Sequence, residues 1–560
     1  MMHDFLDRIG EWNPQLLREL KGRLKPLNIL LAVTISLVGQ FILFMYFKTQ
    51  LPYVIDENQR FNRYCTGNFV STKDDIRECL QYALDVFVTN SQMWWLDIFC
   101  LLSIFGSSGL LIAGTYLLMS DLTTEQRSDT LNFIRLTPQS AQNILLGKML
   151  GVPIFIYIFV ALTVPLHLWS GLAVNIPLIE ILSFYAVVVA ACFFYYSAAL
   201  LFSLVGSWLG GFQAWLGSGL VLGFLILTQQ GLANVTSSYS LVFLKFLNPF
   251  FLIPSLEESS LFKYVSSWQD FHWFALPLGA SFITTVGFGL FTYIIGSRFI
   301  WQALQRCYRD PNATMLNKQQ SYLLTFCFTA ITLGCTNWQT ILFGTEGYSY
   351  LMKENVFCLL FLNFWLLLYL IAALSPHRQA LQDWARYRHQ NISDNKRFGY
   401  RSLLKDLIWD EKSPAMVAIA LNATIIIICL NLFIVLSRSD NADKFNAIYS
   451  VGLAAGLAMI YAALTQLLLF MKTKHRVWWT AGAVSAAIMF PLIISMMFYQ
   501  SSELNFGLWL FSIFAPIAAM FPSGNSLTEM TIFLGILGQL SIAGFLMLLL
   551  TRQLQQAGRS

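Results

Sequence analysis

The chain has 560 residues, of which 56% are hydrophobic, 15% aromatic and only 12% charged, with a mean hydropathy of +0.59. That charged fraction is about half the share found in soluble domains, and apolar runs of roughly 18 residues or more recur along the whole length, so a string of soluble domains is excluded and an all-α polytopic membrane protein is indicated. The net charge of +5 is small and its excess falls in loops between apolar runs, which argues against a nucleic-acid partner.

The first predicted element is an amphipathic leader, 1–26. From Asn13 to Pro26 it places Leu16, Leu17, Leu20 and Leu24 on one side of a helix, with Arg18, Lys21 and Lys25 elsewhere around it. That pattern suits an interfacial helix under anionic headgroups. The first apolar run begins near Leu27 with no small-residue cleavage site after it, so no signal peptide is expected.

Uncharged apolar runs then predict spans near 27–47, 95–119, 149–172, 179–205, 212–229 and 275–296. A second set follows near 322–343, 355–374, 414–436, 447–471, 478–499 and 529–550, about twelve in all. With the N-terminus inside, most of the 35 Lys and Arg fall in inner segments, the richest being 375–413, 297–321 and the leader. The charge rule therefore expects both termini in the cytoplasm and a multi-pass protein of the plasma (bacterial inner) membrane.

The nine cysteines show no metal-ligand spacing, and most lie in apolar runs, where a thiol serves as a small hydrophobe. Cys65 and Cys79 differ, because they sit among charged residues in the outer loop 48–93. In an oxidising compartment they are expected to pair, a bond worth about 3 kcal/mol for a loop of that length; two free thiols are the alternative.

The layout repeats. A first six-span half, 27–297, carries an inner loop at 120–148; a cytoplasmic linker, 298–321, leads to a second six-span half, 322–560, with its inner loop at 375–413. In each half an apolar segment too short to span, 248–256 (Asn248 to Leu256) and 514–525 (Phe514 to Asn525), carries prolines and precedes the last span. Each reads as a re-entrant helix pair on the outer side, the two related by a pseudo-two-fold axis.

The loop 120–148 is the most informative stretch. Thr123 with Gln126 predicts a capping box, and Thr137 before Pro138 predicts a second helix start. Leu131, Ile134 and Leu145 are expected to point one way while Glu125, Arg127, Asp129 and Arg135 face water. An amphipathic connector without a partner is the plain alternative.

At these residues the sequence resembles the membrane subunits of ABC-2 type exporters, which carry between their second and third spans an acidic helix, a Gly-Thr-Leu-like run, a Thr-Pro turn and a hydrophobic stretch closing on Gly-Lys. The matching positions are Glu125, Thr130, Leu131, Thr137, Pro138, Gly147 and Lys148, with Asp129 where the family usually has glycine. The resemblance implies two ABC-2-like halves fused in one chain, and a coupling helix, flanked by Arg127, that docks into a separate ATP-binding subunit. In the second half, Asp410 and Glu411 occupy the corresponding acid-rich stretch without the family's letters. The implied function is export of an amphipathic, lipid-like, glycan or drug-like substrate, with ATP and magnesium held by the partner and the bilayer as the other neighbour.

No span carries an acid or base in its middle, and His167 is the only imidazole within one and is expected to be packed or interfacial. Ion-coupled carriers need such groups at depth, so energy from outside the membrane domain is expected. Nor is ATP hydrolysis expected of this chain. Gly147 and Lys148 make no P-loop, because Gln142 stands where the first glycine belongs and Met149 where Ser or Thr would hold magnesium. No catalytic, cofactor or metal residues are assigned. Two rival readings are a membrane-embedded transferase acting on lipid-linked substrates, with Glu257, Glu258, Asp270 and His272 as its polar cluster, and an ATPase-driven regulator that transmits force.

Overall fold

The computed structural model describes residues 8–52, 61–71, 76–82, 86–253, 268, 270–343, 349–394, 399–497, 509–521 and 529–559. They form two compact units. The first comprises 1–234, 244–271 and 277–309; the second comprises 235–243, 272–276 and 310–560. The second unit thus takes in two short segments that precede the linker in sequence.

In the first unit the leader folds as α1 (Pro14–Arg23), started by Asn13, whose side chain accepts from the Leu16 N–H. There follow α2 (Pro26–Thr49), α3 (Ser91–Arg127), α4 (Thr130–Arg135), α5 (Ala141–Gly151), α6 (Ile154–Ala173), α7 (Leu178–Val205), α8 (Phe212–Gly231) and α9 (Phe282–Arg309). Within α3 a π-helical turn at Gly109–Ala113 loosens the backbone ladder. The Leu110 carbonyl there accepts a 2.6 Å hydrogen bond from the Tyr196 hydroxyl, which rests against Gly114 where any side chain would collide with it.

Between α2 and α3, strands β1 (Phe61–Asn62), β2 (Phe69–Ser71) and β3 (Ile76–Glu78) pair antiparallel in the order β1-β3-β2, beside a ribbon of β4 (Gln81–Tyr82) and β5 (Val86–Phe87). Cys65 and Cys79 are disulfide-bonded across this sheet, with Cα atoms 4.7 Å apart. The sheet is moored to α3 by Asp97, which lies 3.1 Å from Arg63 and accepts from the Tyr64 hydroxyl at 2.9 Å.

The second unit contains α10 (Lys318–Gly334), α11 (Trp338–Phe343), α12 (Ser349–Leu374), α13 (Arg378–Asp394), α14 (Gly399–Trp409), α15 (Met416–Leu436), α16 (Asn441–Leu469), α17 (Arg476–Met497), α18 (Ala515–Met520) and α19 (Glu529–Arg559). Asn317 and Gln320 close a capping box at the start of α10. Ser321, Thr325 and Thr329 recur every four residues on α10 and meet two buried amides: Asn422 contacts Ser321 at 3.0 Å and Thr325 at 2.8 Å, and Asn363 meets Thr329 at 2.9 Å. In apolar surroundings such paired polar groups hold helices together, because unpaired they would be costly.

Among the described residues ten helices are long and apolar enough to cross a membrane: α2, α3, α6, α7, α8, α9, α12, α15, α16 and α19. The architecture is all-helical and multi-span, consistent with a membrane protein. The two other expected spans fall on α10 with α11, where the helix breaks over 335–337, and on α17. Of the two short apolar segments, the described part of 248–256 is a single 3-10 turn, Pro249–Leu252, tied by Asn248 to Leu225 and Thr228 near the end of α8. The described part of 514–525 is the six-residue α18, whose Pro516 carbonyl accepts from Ser450 on α16 at 2.8 Å. Residues 254–256 and 522–525 lie outside the described residues.

Candidate coupling site

The loop 120–148 is organised around one side chain. Lys148, on α5, is fully buried, and its Nζ lies 2.8 Å from an Asp121 oxygen, 2.8 Å from a Glu125 oxygen and 3.5 Å from a Glu19 oxygen. Asp121 and Glu125 stand four residues apart on α3, so both carboxylates share one face, while Glu19 comes from α1. Arg23 closes the ring, 2.5 Å from Asp121 and 3.3 Å from Glu19, and Gln15 donates to Glu19 at 2.9 Å.

Burial on its own would lower the Lys148 pKa, but Asp121, Glu125 and Glu19 outweigh it and hold the ammonium above its ordinary value. A buried lysine of this kind is stable only because every carboxylate nearby is aimed at it. The oxygens of Glu19, Asp121 and Glu125 lie within 4.8 Å of one another, a spacing suited to a cation. The Lys148 ammonium already stands in that position.

Local packing explains why α1 reaches the cluster. A Cβ on Gly147 would lie 2.8 Å from the Leu16 backbone nitrogen, and one on Gly151 would lie 2.5 Å from the Glu19 Cβ. These two glycines, one turn apart, form the groove into which α1 settles, and Asn13 fastens its start by donating to the Asn143 carbonyl at 2.8 Å. The leader therefore buries Gln15, Leu16, Glu19 and Leu20 against α5, and its buried face is mixed where a leucine stripe was expected.

Three local expectations are corrected. Thr123 and Gln126 form no capping box: α3 runs unbroken through both, and the Thr123 hydroxyl donates back to the Met119 carbonyl at 2.6 Å. Thr137 does not cap the second helix either; its hydroxyl donates to the Ile134 carbonyl at 2.6 Å, Pro138 is exposed, and α5 starts three residues later on Ser140, which accepts from the Asn143 N–H. Glu125 does not face water, its side chain being 13% exposed and turned to Lys148. The periodicity of a short loop helix could not show this, because the deciding charge lies on another helix.

The remaining positions fall as follows. Arg127 is exposed and lies over the Gly210–Gly211 turn, where a Gly210 Cβ would meet its guanidinium at 2.8 Å. Thr130 donates to the Glu125 carbonyl at 3.2 Å, and Leu131 is buried with Ile134. Asp129, standing for the family's glycine, has φ 55°, a left-handed conformation that glycine adopts freely and aspartate tolerates better than most residues. Phe133 and Leu136 are the residues that sequence reasoning passed over: they are 74% and 84% exposed at the tip of the loop. Their offset from Leu131 and Ile134 was the available signal, since four apolar residues cannot all share one face of so short a helix.

In the second unit, Asp410 and Glu411 are half-buried after α14. Here too a lysine is enclosed. Lys318 Nζ donates to the Leu407 carbonyl at 2.7 Å, the Ser413 hydroxyl at 2.6 Å and the Pro414 carbonyl at 3.3 Å. Burial pushes its pKa down to about 8, against the opposing pull of Asp410, Asp406 and Glu411.

His167 is packed within the first unit. Its ring stacks on Phe99 and lies 2.7 Å from the Ser103 hydroxyl and 2.8 Å from the Tyr185 hydroxyl. Of the polar cluster considered for a transferase, Glu257 and Glu258 lie outside the described residues.

No family model matches this chain, and no curated protein or solved structure matches it either.

Proposed function

We propose that this chain is the membrane subunit of an ATP-driven exporter of the ABC-2 type, its two six-span halves fused in one polypeptide and its ATPase supplied by a separate protein. The supporting observation is the tip of the loop 120–148, where Phe133 on α4 and Leu136 just after it stand exposed. The base of the same loop is bound to α1 and α5 through Lys148. A rigid base under an apolar tip is what a lever needs: a partner grips the tip, and its closure on ATP is passed to α3 and α5 without melting the loop. Arg127, Thr130 and Pro138 flank the tip, with Asp410 and Glu411 proposed as the counterpart in the second unit. The cargo is an amphipathic, lipid-like, glycan or drug-like molecule moved out of the cytoplasm, and the chain itself performs no covalent chemistry. The same reading has the chain span a bacterial inner membrane with both termini on the cytoplasmic side, as its Lys and Arg distribution suggests.

Affinity purification of the chain in mild detergent tests this. An ATP-binding subunit should co-purify, and Phe133→Asp with Leu136→Asp should reduce its recovery roughly tenfold or more, as loss of central apolar anchors does. Thermal stability should stay near normal because both side chains are exposed. Absence of any ATP-binding protein, or equal recovery with the double variant, would sink the reading.

A further inference from the structure

A half-open cavity of about 550 Å³ lies in the second unit between α13, α14, the start of α15 and the last turns of α19. This size is within the range of pockets that hold small organic ligands. One wall is apolar, built by Leu407, Met416, Met547, Leu550 and Leu554; the other carries Arg388, His389 and Arg559, and no carboxylate lines the cavity among the described residues. Arg388 is buried and held by Asp406 at 3.2 Å, while His389 and Arg559 are exposed. Trp384 also lines the cavity, and its indole N–H is buried with no acceptor among the described residues.

Position selects the occupant. The cavity sits where one membrane-length helix, α15, begins and another, α19, ends. Helix α19 has 31 residues, about 46 Å at 1.5 Å per residue, so it outruns a hydrocarbon core of about 30 Å and carries its last turns into the headgroup region. A ligand there meets hydrocarbon on one side and headgroups on the other. The walls match that division, apolar toward the span bodies and cationic toward α13 and the end of α19.

We infer that this cavity is a binding site for an acidic phospholipid of the bilayer, with its phosphate beside His389 and Arg559 and an acyl chain along Met416, Met547 and Leu550. Arg388 adds positive potential from behind, and the Trp384 N–H donates to an ester or glycerol oxygen. The bound lipid joins α13 to α19, which already touch closely: a Cβ on Gly558 would lie 2.8 Å from the Ala385 carbonyl oxygen.

The full chain in phosphatidylcholine vesicles doped with phosphatidylglycerol carrying a photoreactive acyl chain provides the test. After irradiation, crosslinked peptides carrying Met416 and peptides from 547–559 should dominate. A phosphatidylcholine probe with the same chain should label them roughly tenfold less, the scale expected when basic residues select an anionic headgroup. Thr551→Trp, at an exposed lining position, should fill the cavity, and His389→Gln with Arg559→Gln should remove its exposed imidazole and guanidinium. Each should bring phosphatidylglycerol labelling down to the phosphatidylcholine level while labelling elsewhere on the chain persists. Equal labelling by the two lipids, no effect of either variant, or displacement by millimolar inorganic phosphate would overturn the inference. No ATP-binding partner enters this experiment, so its outcome is separate from that of the proposed function.

Discussion

The Glu125 carboxylate stands 2.8 Å from the Lys148 ammonium, a fully buried cation. An acid expected to reach outward to a partner is thus engaged inside the chain, and its removal has a structural cost. Glu125→Ala should lower stability by about 1–3 kcal/mol, less than the full cost of breaking a buried pair because Asp121 and Glu19 remain. Thermal unfolding in detergent measures it. A loss below about 0.5 kcal/mol, typical of exposed sites, would mean that Glu125 is solvated and the cluster is open.

Gly147→Ala should separate α1 from α5, since the new Cβ would lie 2.8 Å from a backbone nitrogen of Leu16, which cannot swing aside as a side chain can. Overpacking of this kind costs about 1–3 kcal/mol. Limited proteolysis after Lys21 or Arg23 should quicken in this variant. Gly39→Ala, with open space around it, should leave the cleavage rate as it is.

Asp129 has φ 55°, so its replacement is decided by backbone sterics. Asp129→Gly should be neutral or slightly stabilising, whereas Asp129→Val should lose about 1–2 kcal/mol. Equal melting temperatures for the two variants would show that the turn relaxes.

Lys318 supplies a pH dependence. Its pKa is about 8 in the folded chain against an ordinary 10.5, so between those values the unfolded chain binds more protons. Stability should therefore rise as pH climbs from about 8 toward 10.5, and the cost of the buried charge is present in full below 8. Melting curves from pH 7 to 10 should show a gain on the order of 2 kcal/mol that Lys318→Met removes. A flat profile in the parent protein would show that the carbonyl and hydroxyl partners keep the ammonium charged throughout.

The Cys65–Cys79 bond closes a loop with a sequence separation of 14. Non-reducing peptide mapping should recover the crosslinked pair, and replacing both cysteines with serine should cost about 3 kcal/mol by freeing the unfolded chain. Two freely alkylated thiols would contradict the bond.

The span-forming character of this chain was legible in its letters, because a bilayer imposes a one-dimensional condition: a segment near Leu27 or Met416 either carries enough consecutive apolar residues to bury a self-bonded helix or it does not. Local composition also pointed to 120–148 as an unusual loop, and Cys65 and Cys79 stood apart by lying among charges outside the spans. The direction that each polar side chain takes was not legible. Glu125 is inward because Lys148 lies on a different helix, and Glu19 joins them because Gly147 and Gly151 leave room for α1. Each of these depends on a distance between residues that local sequence does not relate. Tertiary structure decided them because Coulomb energy and steric contact act through space, whereas hydropathy and helix periodicity act along the chain.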